Sequence, residues 1–114
     1  MKSSEIIHNA MLEQEGVTAH PHRFGGTEYR LGKREIGHVH GERLVDIPFP
    51  KPVRDEVVAG GLAEPHHFLP ESGWISLYLR QEQDTQTAVQ LLNHSLEIAR
   101  VQVQNREARG SGRT

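Results

Sequence analysis

The fold is decided by residues 27–49, which read TEYRLGKREIGHVHGERLVDIPF. This stretch contains three short runs that alternate between apolar and polar residues, which is typical of half-buried β-strands. The runs cover residues 27–31, 35–40 and 44–49. Gly32-Lys33 separates the first two runs and Gly41-Glu42 the last two, and two-residue turns of this kind connect antiparallel strands. The stretch therefore predicts a β-meander.

Helical and strand patterns flank this meander. A first helix is predicted from an apolar face at three- and four-residue spacing, formed by Ile6, Ile7, Ala10 and Met11. Pro52 suits the first turn of a second helix, and Gly60-Gly61 ends it. Residues 74–79 alternate as a fourth strand. A third helix begins at Asp84, and its buried stripe consists of Ala88, Leu91, Leu92, Ser95, Leu96, Ala99 and Val103.

This order, α-β-β-β-α-β-α, predicts an α+β fold in which the helices pack on one face of an antiparallel sheet. Residues 17–26 are expected to be turn-rich, and residues 62–71 to form a loop with room for one short strand. The chain has the size of one domain, predicted over residues 1–105, with a flexible polar tail over residues 106–114. The second face of the sheet is left partly open, and a homodimer through this face is one way to cover it.

Composition excludes several classes of function. The sequence has no cysteine, so it has no disulfide, thiolate metal site or cysteine nucleophile. Its 13 basic and 15 acidic residues give no general attraction to nucleic acid or to anionic membranes. No segment approaches the ~20 apolar residues that span a bilayer. The first residues are charged and unlike a signal peptide, so a cytoplasmic location is expected.

Histidine is the unusual residue, with eight in the chain. His38 and His40 lie two apart on the second predicted strand, so alternation places both imidazoles on one face. Two strand histidines and a third ligand form a facial site for one divalent metal ion. The candidates for that third ligand are His66, His67, His20, His22 and Glu71, and His66 completes the predicted metal set. In the structural alternative, His38 and His40 only hydrogen-bond carboxylates or backbone on a half-exposed sheet.

Four further residues extend the predicted patch. His66 and His67 are adjacent, so in an extended chain they point to opposite faces and at most one is expected to join the patch. Trp74 either lines a pocket with the histidine strand or anchors the core, and the core is favoured because large aromatic side chains bury well. Arg30 either contacts an anionic ligand or pairs with a glutamate. The predicted ligand-binding set is His38, His40, His66, His67, Trp74 and Arg30.

The sequence also resembles a known family. The run FGGTEYRLGKREIGHVHGERLVDIPFPKPVRDEVVAGG, from Phe24 onward, and the later run EPHHFLPESGWISLYLR resemble small bacterial and fungal proteins of the luciferase domain family. The most specific pieces are residues 37–41 (GHVHG), residues 65–67 (PHH) and Pro70-x-x-Gly73-Trp74. The arrangement is also similar to the MmcQ/YjbR group, through RFGG, a strand that begins with tryptophan and a serine in the last helix. That second resemblance implies a compact frataxin-like fold and a link to DNA binding.

Three functional hypotheses follow. The leading hypothesis is a non-enzymatic binding or interaction domain whose histidine patch holds a small anionic ligand or a divalent metal. The second is a small metal- or acid–base-dependent enzyme, since Glu42, Asp46 or Glu71 could pair with His38 or His40. No G-x-S-x-G nucleophile motif is present in the sequence. The third is a weak DNA-binding domain that grips phosphate with the turn at Lys33-Arg34.

Overall fold

The computed structural model describes residues 1–23 and 25–111 of the chain. Within those residues, three helices and one six-stranded sheet form in the order β1-β2-β3-β4-β6-β5. The elements are α1 (Ser3–Leu12), β1 (Val17–Pro21), β2 (Thr27–Leu31), β3 (Arg34–His40), β4 (Leu44–Pro48), α2 (Lys51–Ala59), β5 (Glu64–Pro65), β6 (Trp74–Tyr78) and α3 (Glu82–Ser111). All five strand pairings are antiparallel. The predicted α+β class and its antiparallel sheet are confirmed.

Two strands lengthen the sheet beyond the predicted set. Residues 17–26 were expected to be turn-rich, but Val17–Pro21 forms β1 and pairs with β2. This strand lies at one edge of the sheet, where a proline at the strand end costs no ladder hydrogen bond. At the other edge, Glu64–Pro65 forms β5, the short strand for which residues 62–71 left room.

One hydrophobic cluster joins the helices to a single face of the sheet. Its strand members alternate along β3, β4 and β6, and they include Val39, Val45, Ile47, Ile75 and Leu77. Its helix members are Ile7, Met11, Val57, Ala88, Leu91, Leu92, Leu96 and Ala99. All of these side chains are buried, so the hydrophobic effect holds the helices against this face. The predicted packing of helices on one face is confirmed.

The last helix approaches the sheet closely at Gly37. A Cβ atom at this position would lie 2.6 Å from the Leu92 side chain and 3.0 Å from the backbone oxygen of Asp46. The hydroxyl of Ser95 donates to the backbone oxygen of Ile36 at 2.9 Å, which fixes α3 to β3. Position 37 therefore needs a glycine, because helix α3 occupies the space that a side chain would fill.

The β3–β4 loop differs from the two-residue turn predicted at Gly41-Glu42. The loop contains residues 41–43, and Gly41 adopts a φ of 54°, a left-handed conformation that glycine adopts without strain. With this extra residue, His40 lies opposite Leu44 and His38 lies opposite Asp46. The Gly32-Lys33 turn, by contrast, has the predicted length, since Leu31 pairs with Arg34.

Two predicted features lie partly outside the described residues. Phe24, where the resembling run begins, is one of the residues that the structure does not describe. Helix α3 continues through Ser111, into the segment predicted as a tail, and residues 112–114 lie outside the described part. Among the described residues, no helix has the length and apolar character needed to cross a membrane.

Candidate metal centre

A buried carboxylate, that of Asp46, lies at the centre of the histidines. Asp46 is 1% exposed. Its Oδ2 atom lies 3.2 Å from Nε2 of His38 and 3.1 Å from Nε2 of His40. The Nε2 atom of His66 lies 3.5 Å from the same oxygen. One carboxylate oxygen therefore faces three imidazole nitrogens.

Strand register explains this convergence. His38 and His40 alternate onto the face of β3 that points away from the helices. Asp46 lies opposite His38 on β4, and Ser76 lies opposite Asp46 on β6. Directly opposed residues on one sheet face bring their side chains into contact. The hydroxyl of Ser76 donates to Oδ1 of Asp46 at 2.7 Å, so the second oxygen of the carboxylate is also bound.

A β-bulge adds Glu35 to the same face. In a regular strand, Glu35 and His38 would point to opposite faces because they are three residues apart. The pairing of β2 with β3 shifts at Tyr29/Arg30, so that Glu35 pairs with Arg30 and Gly37 with Tyr29. Ile36, which lies between Glu35 and Gly37, is therefore the extra residue of a bulge. Glu35 Oε2 consequently lies 2.6 Å from Nδ1 of His38.

His38 is held between two carboxylates, at one nitrogen each. Burial alone would lower the pKa of His38, but its hydrogen bonds to Asp46 and Glu35 outweigh burial and raise the pKa to about 9. Burial would raise the pKa of Asp46, but hydrogen bonds from His38 and Ser76 outweigh it and lower the pKa to about 2. At neutral pH the pair is therefore an imidazolium and a carboxylate. A proton occupies the space between Nε2 and Oδ2.

His66 is fixed in a single tautomer by its own backbone turn. Its Nδ1 atom accepts the backbone N–H groups of Phe68 and Leu69, both at 3.1 Å. Burial lowers the pKa of His66, so the ring is neutral and its one proton is on Nε2. That proton points at Asp46. A metal-bound imidazole normally keeps a proton on its other nitrogen, which the two backbone donors prevent here. His66 therefore directs its N–H group toward the carboxylate, with 3.5 Å between Nε2 and Oδ2, and the geometry disfavours it as the third ligand.

His67 joins the same group of residues. Its Nδ1 atom lies 3.0 Å from the hydroxyl of Ser76, which already donates to Asp46, so His67 donates to Ser76. The rings of His66 and His67 stack with their centroids 4.3 Å apart. The expectation that adjacent histidines would point to opposite faces is wrong here, because the chain turns after β5 instead of continuing as a strand.

His22 and Arg30 border the cluster. The His22 ring stacks on His38 with a centroid separation of 3.9 Å. Burial and the nearby His38 lower the pKa of His22. Arg30 forms an ion pair with Glu28, the alternative that the sequence offered beside ligand binding.

Apart from Ser76, these side chains line one cavity of about 800 Å³ on the face of the sheet opposite the helices. The lining includes every residue of the predicted ligand-binding set: His38, His40, His66, His67, Trp74 and Arg30. Trp74 is only partly buried, and its ring lies 5.4 Å from that of His38, so it belongs to the cavity wall and not to the core. Two candidate ligands are not in the cavity lining. His20 contacts the Thr18 hydroxyl on β1, and Glu71 is exposed.

The separations within the cluster match those of donors that share one metal ion. Ligand atoms at ~2.0–2.1 Å from a tetrahedral zinc ion lie about 3.3 Å from one another. The two histidine–carboxylate distances, 3.2 and 3.1 Å, are close to this value. One donor atom from each of His38, His40 and Asp46 lies within 4.8 Å of the other two.

Sequence reasoning missed the central role of Asp46, which it considered only as a partner in acid–base chemistry. A signal was present, because a single aspartate interrupts the apolar run Leu-Val-Asp-Ile of β4. An aspartate is rarely buried unless it is paired. Glu35 left no such signal, because the bulge that orients it is not visible in the alternation of the strand.

Fold and site together define a small α+β domain with a histidine–carboxylate cluster on the sheet face opposite its helices. Residues 33–95, more than half of the chain, match the family described as the Luciferase domain, and the chain belongs to that family. The matched segment contains His38, His40, Asp46, His66 and His67. No curated protein and no solved structure matches the chain. The likeness to the MmcQ/YjbR group therefore stays a prediction.

Proposed function

We propose that this domain binds one divalent transition metal ion through Nε2 of His38, Nε2 of His40 and Oδ2 of Asp46. The observation that supports it is the convergence of these three atoms on one face of two paired strands, at separations of 3.1 and 3.2 Å. Two imidazoles and one carboxylate on one side of an ion form a facial triad, which leaves the other coordination positions open.

The type of ligand favours transition metals. Imidazole nitrogen suits zinc, iron, nickel and copper, whereas calcium and magnesium prefer oxygen ligands. Only one of the three proposed ligands is an oxygen. The ion would replace the proton that His38 and Asp46 share, and its larger charge would compensate the buried carboxylate.

The outer contacts suit this role. Glu35 accepts from Nδ1 of His38, which leaves Nε2 with a lone pair directed at the ion. Ser76 donates to Oδ1 of Asp46, and Nε2 of His66 lies 3.5 Å from Oδ2, so both contacts favour one orientation of the carboxylate. Such second contacts are a regular feature of metal sites, because they hold each ligand in its binding orientation.

A metal ion at this site would account for both ligands of the leading hypothesis, the divalent metal and the small anion. An ion with two positive charges, coordinated by one carboxylate, keeps a net positive charge toward the cavity. A small anion would therefore bind at the open positions of the ion.

Metal analysis of untagged protein tests this function. The protein is dialysed against zinc and then against buffer, and bound zinc is measured by elemental analysis and by titration. We expect one zinc per chain, and none in a His38→Ala, His40→Ala variant whose circular dichroism is unchanged. His20→Ala is the matched control, because His20 lies outside the cavity lining, and it should bind zinc like the unaltered protein. Equal binding by the double variant, or no binding by the unaltered protein, would contradict the proposal.

A further inference from the structure

The rim of the cavity carries large apolar side chains that are exposed to solvent, although burial of such side chains is favourable. Phe68 is 81% exposed and Leu69 is 51% exposed. Both line the cavity that contains the proposed metal ligands, and Trp74 forms a further part of its wall. Neighbouring exposed apolar groups at a cavity commonly mark a contact surface.

This rim is held in place by the histidine–carboxylate cluster. The backbone N–H groups of Phe68 and Leu69 both donate to Nδ1 of His66, and the other nitrogen of that ring points at Asp46. The His67 ring packs against Phe68 with a centroid separation of 4.5 Å. The backbone of both residues and the Phe68 ring are therefore positioned relative to the carboxylate. A preordered apolar surface binds a ligand without the cost of ordering a loop.

The charges that line the cavity indicate the net charge of the ligand that it binds. Its charged lining consists of two arginines, Arg23 and Arg30, and three carboxylates, those of Glu28, Glu35 and Asp46. With a divalent ion bound and its histidine ligands neutral, these charges sum to one net positive charge. A ligand with a single negative charge would make the filled cavity neutral.

We propose that the site takes an organic monoanion, a carboxylate on an apolar body. This inference rests on the proposed metal function. The carboxylate binds at an open position of the ion, and the apolar body packs against Phe68, Leu69 and Trp74. Ligand sites that combine mostly apolar walls with a few polar anchors have this division of roles.

Cobalt-loaded protein provides the test, because the visible spectrum of Co²⁺ changes when a ligand enters its coordination shell. The probes are phenylacetate and acetate, which share the carboxylate and differ in the apolar body. We expect phenylacetate to bind at least about tenfold more tightly, since burial of its ring removes apolar surface from water. A Phe68→Ala, Leu69→Ala variant should lose most of this preference and retain its cobalt spectrum. Leu62→Ala is the control, because Leu62 is 49% exposed and lies outside the cavity lining.

The outcomes separate the two proposals. If cobalt binds and neither probe changes the spectrum, or if both probes bind equally, the ligand inference is wrong and the metal site stands. Unchanged preference in the double variant also contradicts the inference. If no cobalt binds to the unaltered protein, both proposals are wrong.

Discussion

The Nε2 atom of His38 lies 3.2 Å from the Oδ2 atom of Asp46, directly across the β3–β4 pair. Both side chains are buried, with His38 7% and Asp46 1% exposed. A proton or a metal ion between the two atoms removes the repulsion between their lone pairs. Because a proton and a metal ion compete for this position, metal affinity should depend on pH and on the residues that contact His38 and Asp46.

Metal binding should strengthen as the pH rises from 7 to 9. The pKa of His38 is raised to about 9, so in this range each ion must displace a proton from Nε2. Ligand deprotonation makes metal affinity depend on pH, by about tenfold per pH unit when one proton is released. Zinc affinity measured by competition with a chelator at several pH values checks this. An affinity that is constant above pH 7 would mean that His38 gives up no proton to the ion.

The metal-free protein should lose stability over the same range. Its folded state holds the proton of His38 more tightly than the unfolded chain, whose histidine pKa is near 6.5. The resulting stabilisation is complete below pH 6.5 and disappears as the pH rises through 9. Its size is at most about 3 kcal/mol, from the difference between the two pKa values.

Urea unfolding of metal-free protein at pH 6 and pH 9.5 measures this loss. Other groups also titrate between these values, so the informative quantity is the comparison with His38→Gln. This variant should have a smaller difference between the two pH values. An equal difference in both proteins would show that His38 is not the group responsible.

Glu35→Gln should weaken zinc binding by about tenfold or more, because the carboxylate orients His38 and increases the basicity of its Nε2 atom. Zinc titration of the variant measures the effect. Glu28→Gln is the control with the same change of side chain, since Glu28 pairs with Arg30, whereas Nδ1 of His38 forms its hydrogen bond with Glu35. Similar losses in both variants would point to general cavity charge and not to orientation of His38.

His66→Ala should weaken zinc binding by about 10–100-fold, the range for loss of a contact that orients a ligand. His40→Ala should weaken it far more, because it removes a ligand. Both variants are compared in one titration series. Equal and complete loss in the two variants would place His66 among the ligands and contradict the tautomer assigned from its backbone hydrogen bonds.

The β-meander and the placement of His38 and His40 on one face follow from alternation in residues 27–49, so the sequence was sufficient for them, whereas β1 was missed. The predicted ligand-binding residues all line one cavity, although only one of His66 and His67 was expected to join the patch. Three features depended on local geometry that alternation does not encode: the three-residue loop that sets His38 opposite Asp46, the bulge that turns Glu35, and the turn after β5. Each involves backbone dihedral angles or register, which tertiary contacts determine.

The most direct test of the metal site is a crystal structure of the zinc-loaded protein with anomalous data at the zinc absorption edge. We expect one strong anomalous peak, at ~2.0–2.2 Å from Nε2 of His38, Nε2 of His40 and Oδ2 of Asp46. His66 should keep its hydrogen bonds from Phe68 and Leu69 and lie outside the coordination shell. A peak coordinated by His66 and His67 in place of the β3 histidines, or no peak within the cavity, would contradict the account.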